Sequence, residues 1–326
     1  MAVTDRYVLV DTDTGIDDAL AMLTIAQHSG TEIVGVGTVF GNCTEQQAAR
    51  NALTVLSVAG LRDVPVCIGQ PRPGPPPAAD SPHGLDGLGD RGYRPPPGVG
   101  PAPESAVDQL LRVAEDRPGA VDLLCLGPLA NIAAAVTRDP RVLTRYRSVT
   151  IMGGMGPASR KGVEAAVQPQ FLERGDTNTN HDPVAATVVA AAPGQITWVG
   201  MNVTGRLRLA WADLVARSAV GRTATFVRDI TEDYHQCCTS TYRVEDPIYT
   251  AHDSVAAAVM LDPTVVLSAA DARPRVLHED GRAAVWGVTP VRGPAHRFVT
   301  DLDYRSIRAR IATTLDADIP RSGSAG

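Results

Sequence analysis

The chain has 326 residues, 44% of them hydrophobic, and a formal net charge of −6. This length can bury a sizeable core as one large α/β domain or two smaller ones. The acidic balance argues against a general nucleic-acid-binding protein, which needs a basic surface. No apolar run approaches the length of a membrane span, and the N-terminal segment lacks the basic-then-apolar layout of a signal peptide.

The chain contains 5 cysteines, which are scattered and form no C-x-x-C pair. This pattern indicates neither a disulfide framework nor a zinc knuckle. We therefore expect a cytoplasmic protein in a reducing environment. The adjacent Cys237 and Cys238 are interpreted as packing residues of a helix.

Short apolar segments alternate with longer amphipathic ones along the chain. The short segments are rich in β-branched residues, which favours strands. The predicted strands are Tyr7–Val10, Ile33–Val39, Val64–Ile68, Val121–Leu126, Val149–Met152 and Ile196–Val199. The predicted helices are Asp18–Gln27, Gln46–Ala59, Ser105–Ala114, Leu129–Thr137 and Pro183–Ala191. This alternation predicts a Rossmann-like α/β fold, with a mostly parallel central sheet flanked by helices.

Long loops are expected between these elements. Two proline-rich stretches, Pro71–Pro77 and Pro95–Pro103, flank a glycine-rich segment, and proline is disfavoured inside central strands. Residues 156–175 are polar and irregular, and we expect residues 320–326 to form a disordered tail. No composition shift marks a boundary, so we predict one α/β domain over residues 1–319 with long active-site loops.

Four aspartates are concentrated in the segment VLVDTDTGIDDALAML, Val8–Leu23. A predicted strand ends at Asp11 and Asp13, Gly15 permits a tight turn, and a helix follows from about residue 16. Asp17 and Asp18 lie at the start of that helix. The carboxyl end of a strand in an open α/β sheet is where ligands bind, so these carboxylates are expected to form a site.

Four carboxylates this close repel one another, and a bound cation would neutralise the repulsion. Oxygen ligands without nearby thiol or imidazole groups favour calcium or magnesium over zinc. A favourable interaction with the helix dipole could explain Asp17 and Asp18 alone. It does not account for the strand-end pair Asp11 and Asp13.

The sequence resembles the nucleoside hydrolases, especially the inosine-uridine preferring type. The segment VDTDTGIDDALAML is similar to the N-terminal signature of that family, with Thr14 where proline is usual. Further similar motifs follow in order along the chain: VFGNCT, HGLDGLG, LGPLANIAAA, IMGGM, DTNTNHDPVAA, VGMNVT and AHDSVAAA. The resemblance spans roughly residues 7 to 263.

The resemblance implies hydrolysis of a ribonucleoside N-glycosidic bond with a bound Ca²⁺. It places the side chains of Asp13, Asp18 and Asp253 and the carbonyl of Leu126 on the ion. Asp17 would be the general base that takes a proton from the attacking water. His252 would be the acid for the leaving base, or would only contact that base or a carboxylate.

The resemblance also implies the substrate contacts. Asn42 and Asn178 would hydrogen-bond the ribose, and Asp176 would lie at its 5′ side. His83, in the glycine-rich loop, either lines the mouth of the pocket or only hydrogen-bonds within the loop. Two further residues, Asp11 and Asn202, are expected to support the site from behind. Tyr234, His235 and Tyr242 lie on a predicted helix in the region where aromatic residues of related enzymes close over the base.

Two departures fall on the substrate side. Asp176 replaces the glutamate that family members carry, and no asparagine lies between Gly154 and Asp176, where Gln168 or Gln170 could substitute. A shorter carboxylate reaches less far or admits a larger 5′ group. The alternatives are therefore a hydrolase of a modified or 5′-substituted ribosyl compound, and a non-catalytic protein that binds calcium and ribose.

The expected partner is a small nucleoside of the purine or pyrimidine salvage type, without nucleic acid or membrane. Relatives implied by the resemblance are usually dimers or tetramers, so we expect a homodimer or homotetramer.

Overall fold

The computed structural model describes residues 5–73, 81–158, 175–279, 282–288 and 293–317. Most of the irregular segment predicted at residues 156–175, including Gln168 and Gln170, lies outside these residues. The tail predicted at residues 320–326 lies outside them as well.

The strands of the described residues include all six that the sequence predicts. They are β1 (Arg6–Thr12), β2 (Thr31–Thr38), β3 (Val66–Ile68), β4 (Val121–Cys125), β5 (Ser148–Met152), β6 (Pro157–Ala158), β7 (Ile196–Val199), β8 (Leu209–Ala210), β9 (Ile248–Tyr249), β10 (Val266–Glu279), β11 (Arg282–Val288) and β12 (His296–Leu302). Each predicted strand has its counterpart within a few residues.

The helices likewise include the five that the sequence predicts. They are α1 (Ile16–Ala26), α2 (Glu45–Val58), α3 (Ala106–Asp116), α4 (Ala130–Arg138), α5 (Thr177–His181), α6 (Pro183–Ala190), α7 (Met201–Thr204), α8 (Trp211–Ser218), α9 (Arg222–Thr231), α10 (Tyr234–Tyr242), α11 (His252–Leu261) and α12 (Tyr304–Asp316).

One large sheet organises the described part of the chain, with the strand order β3-β2-β1-β4-β5-β7-β12-β10-β11-β6. Neighbours from β3 to β12 are parallel, whereas β10 is antiparallel to both β12 and β11. The predicted mostly parallel sheet flanked by helices is confirmed. The long β10–β11 hairpin and β12 were not predicted, because their apolar residues are interrupted by arginine, aspartate and proline.

The sheet is covered on both faces, as the apolar strands predict. Successive residues of β1 point to opposite sides: Val8 and Val10 belong to one buried cluster and Leu9 to the other. The first cluster includes residues of α1, α2 and α11, and the second includes residues of α3, α4 and α6. Helices on both faces leave the carboxyl edge of the parallel strands as the place for a site.

The first helix begins where the sequence predicts, because its orphan N–H groups are satisfied locally. The Gly15 N–H donates to Asp18 Oδ2 at 2.8 Å. Thr14 has a φ of 29°, in the left-handed region that β-branched residues rarely adopt. Thr12 Oγ1 accepts the Thr14 N–H at 2.9 Å and holds this turn.

No helix in the described ranges is long and apolar enough to cross a membrane.

The central strand β4 provides a test of the core. Leu123 is completely buried, whereas Leu267 at the start of β10 is 63% exposed. We expect Leu123→Ala to lower the free energy of unfolding by about 2–5 kcal/mol, because it removes apolar contacts and leaves a cavity. The matched control Leu267→Ala should change it by less than about 0.5 kcal/mol. Urea titrations measure both values, and equal losses would contradict this packing.

Candidate active site

A pocket of about 160 Å³ opens at the carboxyl edge of the sheet. Its walls come from the β1–α1 turn, the residues that follow β2, β4 and β5, the segment before α5, and helices α10 and α11. Its lining includes the polar and acidic side chains of Asp13, Asp17, Asn42, Asp176, Asn178 and Asp253, together with Leu126. It also includes Met201 and the α10 residues Tyr234, Cys237, Cys238, Thr241 and Tyr242.

Three buried carboxylates meet at this pocket, and two of them, Asp17 and Asp253, line it. Asp17, Asp18 and Asp253 each offer an oxygen, and these oxygens lie within 4.8 Å of one another. Asp17 and Asp18 come from the first turn of α1 and Asp253 from the first turn of α11. Two helix N-termini thus meet here, and their dipoles favour negative charge.

Short hydrogen bonds fix the orientation of Asp18. Its Oδ1 accepts from Thr12 Oγ1 at 2.5 Å, and its Oδ2 accepts from the Gly15 N–H at 2.8 Å. Asn42 Nδ2 donates to the same Oδ2 at 3.2 Å. The motif residues around Asp18 therefore hold a carboxylate in place as well as starting a helix.

Asp13 lines the same pocket but lies outside the group of three. Its Oδ2 accepts the Asn42 N–H at 2.7 Å. The backbone packs tightly around it, since a Cβ on Gly41 would come within 1.9 Å of Asp13 Oδ2 and one on Gly127 within 3.0 Å of Asp13 Oδ1. Leu126 also lines the pocket. Three of the four expected metal ligands, Asp13, Leu126 and Asp253, therefore line one cavity. The fourth, Asp18, joins Asp17 and Asp253 in the carboxylate group.

Burial and mutual repulsion destabilise the charged forms of these carboxylates. Burial, and then the charge of Asp18, raises the pKa of Asp17 to about 7. Burial raises the pKa of Asp13 and Asp253 well above the ordinary value, and the neighbouring carboxylates add to both shifts. No lysine or arginine of the described residues forms an ion pair with the cluster. A cation would supply the missing positive charge, so the donor set fits a hard metal ion.

Two histidines border the carboxylates, and both are neutral at pH 7. Burial lowers the pKa of His83 to about 4, and burial followed by repulsion from His83 lowers the pKa of His252 to about 4. His83 Nδ1 accepts the Ile16 N–H at 3.1 Å, so it cannot donate to Asp17, which lies 4.0 Å away. His252 Nδ1 is 2.9 Å from Thr204 Oγ1.

The expected ribose ligands lie at the pocket but already contact the protein. Asn178 Nδ2 donates to the Leu126 carbonyl at 2.6 Å and to the Met152 carbonyl at 3.2 Å. Asp176 accepts hydrogen bonds from Gly154 and Thr179. Asn42 contacts Asp13 and Asp18, as described above. These contacts tie the polar lining of the pocket to the ends of β4 and β5.

Asp11 and Asn202 lie behind the pocket, where supporting residues are expected. Asp11 Oδ2 accepts from Asn131 Nδ2 at 2.7 Å, and Asn131 Oδ1 accepts the Gln70 N–H at 2.8 Å. This contact ties β1 to α4. Asn202 Nδ2 donates to the Val299 carbonyl at 2.9 Å, which ties α7 to β12.

Helix α10 contributes more to the pocket than the sequence indicates. Tyr234 and Tyr242 line it, whereas His235 is turned away and stacks on Trp211 at 4.0 Å between ring centroids. Cys237 and Cys238, interpreted from sequence as packing residues, line the pocket as well. Cys238 Sγ also packs 3.5 Å from Thr250 Oγ1. Tyr234, Cys238 and Thr241 are spaced four and three residues apart, which places them on one face of a helix. This spacing is the feature of the sequence that indicates a common pocket-lining face.

Solved nucleoside hydrolases share the fold of this chain. A plant nucleoside hydrolase superposes with a TM-score of 0.82 at 24% identity, over 96% of this chain and 99% of its own. The purine-preferring ribonucleoside hydrolase from Gardnerella vaginalis gives a TM-score of 0.82 at 23% identity, over 95% and 98% of the two chains. These similarities show that the chain has the nucleoside hydrolase fold.

Sequence comparison identifies the family. Residues 8–318 match the family profile described as inosine-uridine preferring nucleoside hydrolase. Uridine nucleosidase 1 of Arabidopsis thaliana is 37% identical over 250 residues, which cover 74% of this chain and 71% of the relative. The inosine-uridine preferring nucleoside hydrolase of Leishmania major is 30% identical over 322 residues, 96% of this chain and 94% of the relative.

The chain therefore belongs to the inosine-uridine preferring nucleoside hydrolase family, as its motifs predict. It is an N-glycosyl hydrolase of the ribonucleoside class.

The acidic cluster should respond to divalent cations in a stability measurement. We expect calcium or magnesium to raise the melting temperature, because an ion that binds only the folded protein stabilises it by about 2.7 kcal/mol at one hundred times its dissociation constant. Asp253→Asn should abolish this increase without lowering the melting temperature of the metal-free protein, since it also relieves repulsion. The exposed Asp246→Asn is the matched control and should retain the full increase. A full increase in Asp253→Asn would exclude the cluster as the site.

Protons should compete with the cation. A raised pKa means that the metal-free protein is most stable when these carboxyls are protonated and loses that stability as the pH rises through about 7. The increase in melting temperature caused by the cation should therefore be larger at pH 8 than at pH 5.5. An increase that does not change with pH would show that the ion binds elsewhere.

Proposed function

We propose that this protein is a calcium-dependent ribonucleoside hydrolase that cleaves the bond between ribose and a nucleobase. The observation that carries the proposal is the cluster of Asp17, Asp18 and Asp253 at a pocket that is lined by acidic groups and also by aromatic and apolar ones. A sugar with several hydroxyls suits the acidic groups, and a flat base suits the aromatic and apolar ones. Relatives named as uridine nucleosidases make uridine the first substrate to test.

Calcium is the proposed ion because the available ligands are oxygens. Asp13, Asp18 and Asp253 would hold it by their side chains, together with the carbonyl of Leu126. The three carboxylates supply a negative charge that no side-chain cation of the described residues balances. When bound, calcium would supply an electrophilic centre that binds vicinal hydroxyls and lowers the pKa of a water beside C1′.

Asp17 is the proposed general base. Its carboxylate accepts backbone hydrogen bonds from His252 and Asp253, so the N-terminus of α11 orients it, and it lines the pocket. In the proposed reaction a water oxygen bonds to C1′ as the bond from C1′ to the base nitrogen breaks. The water proton passes to Asp17, and the electron pair of the broken bond leaves with the base. Direct attack of this kind inverts the configuration at C1′.

His252 is the proposed contact of the departing base. It lines the pocket beside Asp253, and its Nδ1 is fixed by Thr204 Oγ1. His252 has two alternative roles: it protonates the leaving nitrogen, or it only hydrogen-bonds the base. The lowered pKa of about 4 favours the second role for the substrate-free protein, because a neutral imidazole is the weaker acid.

The remaining polar residues would hold the ribose. Asn42 and Asn178 line the pocket, and their amide groups are within reach of a sugar bound there. His83 closes the cavity beside Tyr234, with ring centroids 5.1 Å apart. We also propose that the protein works in the cytoplasm, which the absence of a disulfide among its five cysteines supports, and that it forms a homodimer or homotetramer.

A panel of uridine, inosine, adenosine and cytidine tests the activity, with release of free base as the readout. Asp17→Asn should lower turnover by about two to four orders of magnitude, the range typical for loss of a positioned base. The exposed Asp246→Asn should turn over at the wild-type rate. Unchanged turnover in Asp17→Asn would remove Asp17 from the mechanism. Absence of base release from the whole panel would favour a modified ribosyl substrate or a binding protein.

The role of His252 can be separated with a substrate whose leaving group needs no proton. If His252 is the acid, His252→Ala should lower turnover of uridine by about 100-fold and leave turnover of p-nitrophenyl β-riboside nearly unchanged. If His252 only contacts the base, the two substrates should lose similar factors. Single-turnover rates at saturating substrate distinguish these outcomes.

A further inference from the structure

Asp176 lines the pocket, yet its carboxylate is fully engaged by the protein. Asp176 Oδ2 accepts the Gly154 N–H at 2.5 Å and the Thr179 hydroxyl at 2.5 Å, and Oδ1 accepts the Thr179 N–H at 3.4 Å. The side chain is only 1% exposed. A substrate hydroxyl would have to displace one of these donors to gain a hydrogen bond from Asp176.

The helix that Asp176 caps is the short α5, which carries Asn178. Asp176 is its N-cap residue, and a helix of five residues is not stable without tertiary contacts. Asn178 Nδ2 reaches from this helix to the carbonyls of Leu126 and Met152, at the ends of β4 and β5. Asn180 Oδ1 accepts the Ala283 N–H on β11. By capping α5, Asp176 thus fixes the helix whose Asn178 side chain contacts these two carbonyls.

The neighbouring backbone is shaped for this contact. Gly154 has a φ of 83°, a conformation that favours glycine, and it presents its N–H to Asp176 after the end of β5. Thr179, the other donor, is buried and does not line the pocket. The donors of Gly154 and Thr179 are therefore used by Asp176, and they occupy acceptor positions of its carboxylate.

We propose that Asp176 is a positioning residue: it caps α5 and thereby orients Asn178 and the Leu126 carbonyl, and it does not bind the sugar itself. This assigns it a different role from the ribose contact that the sequence motif implies. Asp176 then offers no free carboxylate to the substrate. A substituent on the sugar near Asp176 would therefore not cost the substrate a contact with a charged group. The inference rests on the proposed function, because nucleoside turnover is one of its readouts.

The first test compares three variants. Asp176→Ala should lower kcat/KM for uridine by about tenfold, because it removes a helix cap and leaves the Gly154 N–H without an acceptor. Asp176→Asn keeps an acceptor for Gly154 and Thr179 and should recover most of this loss. The matched control is Asp303→Ala, which removes the cap of α12, where Asp303 Oδ1 accepts the Ser306 N–H at 3.2 Å, and should leave kcat/KM unchanged.

The second test asks whether Asp176 touches a particular hydroxyl. Inhibition constants of uridine analogues lacking the 2′-, 3′- or 5′-hydroxyl are measured against wild type and Asp176→Ala. A positioning role predicts that the substitution changes all three constants by the same factor. If the effect vanishes for one analogue only, Asp176 binds that hydroxyl directly and the proposal is overturned.

The third test needs no turnover. Calorimetric titration should show that Asp176→Ala weakens calcium binding by about three- to tenfold through the Leu126 carbonyl, a size typical of lost supporting contacts at a metal site. Asp303→Ala should bind calcium as wild type does. Unchanged calcium affinity in Asp176→Ala would overturn the proposal. If the wild type cleaves no nucleoside, the proposed function fails, and this titration still decides the role of Asp176.

Discussion

Repulsion among buried carboxylates is the constraint on which the site depends. Asp17, Asp18 and Asp253 are brought together from two helix N-termini, with their oxygens within 4.8 Å, and they are almost completely shielded from water. Such a group is stable only if its members take up protons or share a cation. The left-handed φ of Thr14 shows that the β1–α1 turn accepts local strain to create this arrangement.

The rest of the pocket follows from how the sheet ends are held. Asn178 contacts the carbonyls at the ends of β4 and β5, and Asn131 ties Asp11 at the end of β1 to α4. These amide groups link the strand ends to one another and to α4 and α5. Acceptors that the protein holds in place favour catalysis because they need little reorganisation during the reaction. The aromatic part of the lining comes from α10, which is anchored by the stack of His235 on Trp211 and by contacts to Thr250.

Sequence reasoning was most successful where local patterns determine the structure. The alternation of apolar strands and amphipathic helices predicted the parallel half of the sheet, and the four aspartates with Gly15 predicted the β1–α1 junction. The antiparallel β10–β12 region was missed, since a strand such as β10 pairs through its backbone while many of its side chains face water. The engagement of Asp176 by Gly154 and Thr179 could not be predicted either, because one partner lies 22 positions away and the hydrogen bond depends on a glycine turn. Family motifs indicate which residues surround a substrate, but they do not show which of those residues are already satisfied by the protein.

The central claim is that one hard cation is shared by the β1–α1 junction and α11. A crystal structure of the protein grown in saturating calcium tests this most directly. The expected result is one calcium ion with oxygens of Asp18 and Asp253 at about 2.3–2.6 Å, together with the Leu126 carbonyl. Calcium bound elsewhere, with these carboxylates unchanged and holding protons or water instead, would contradict the account.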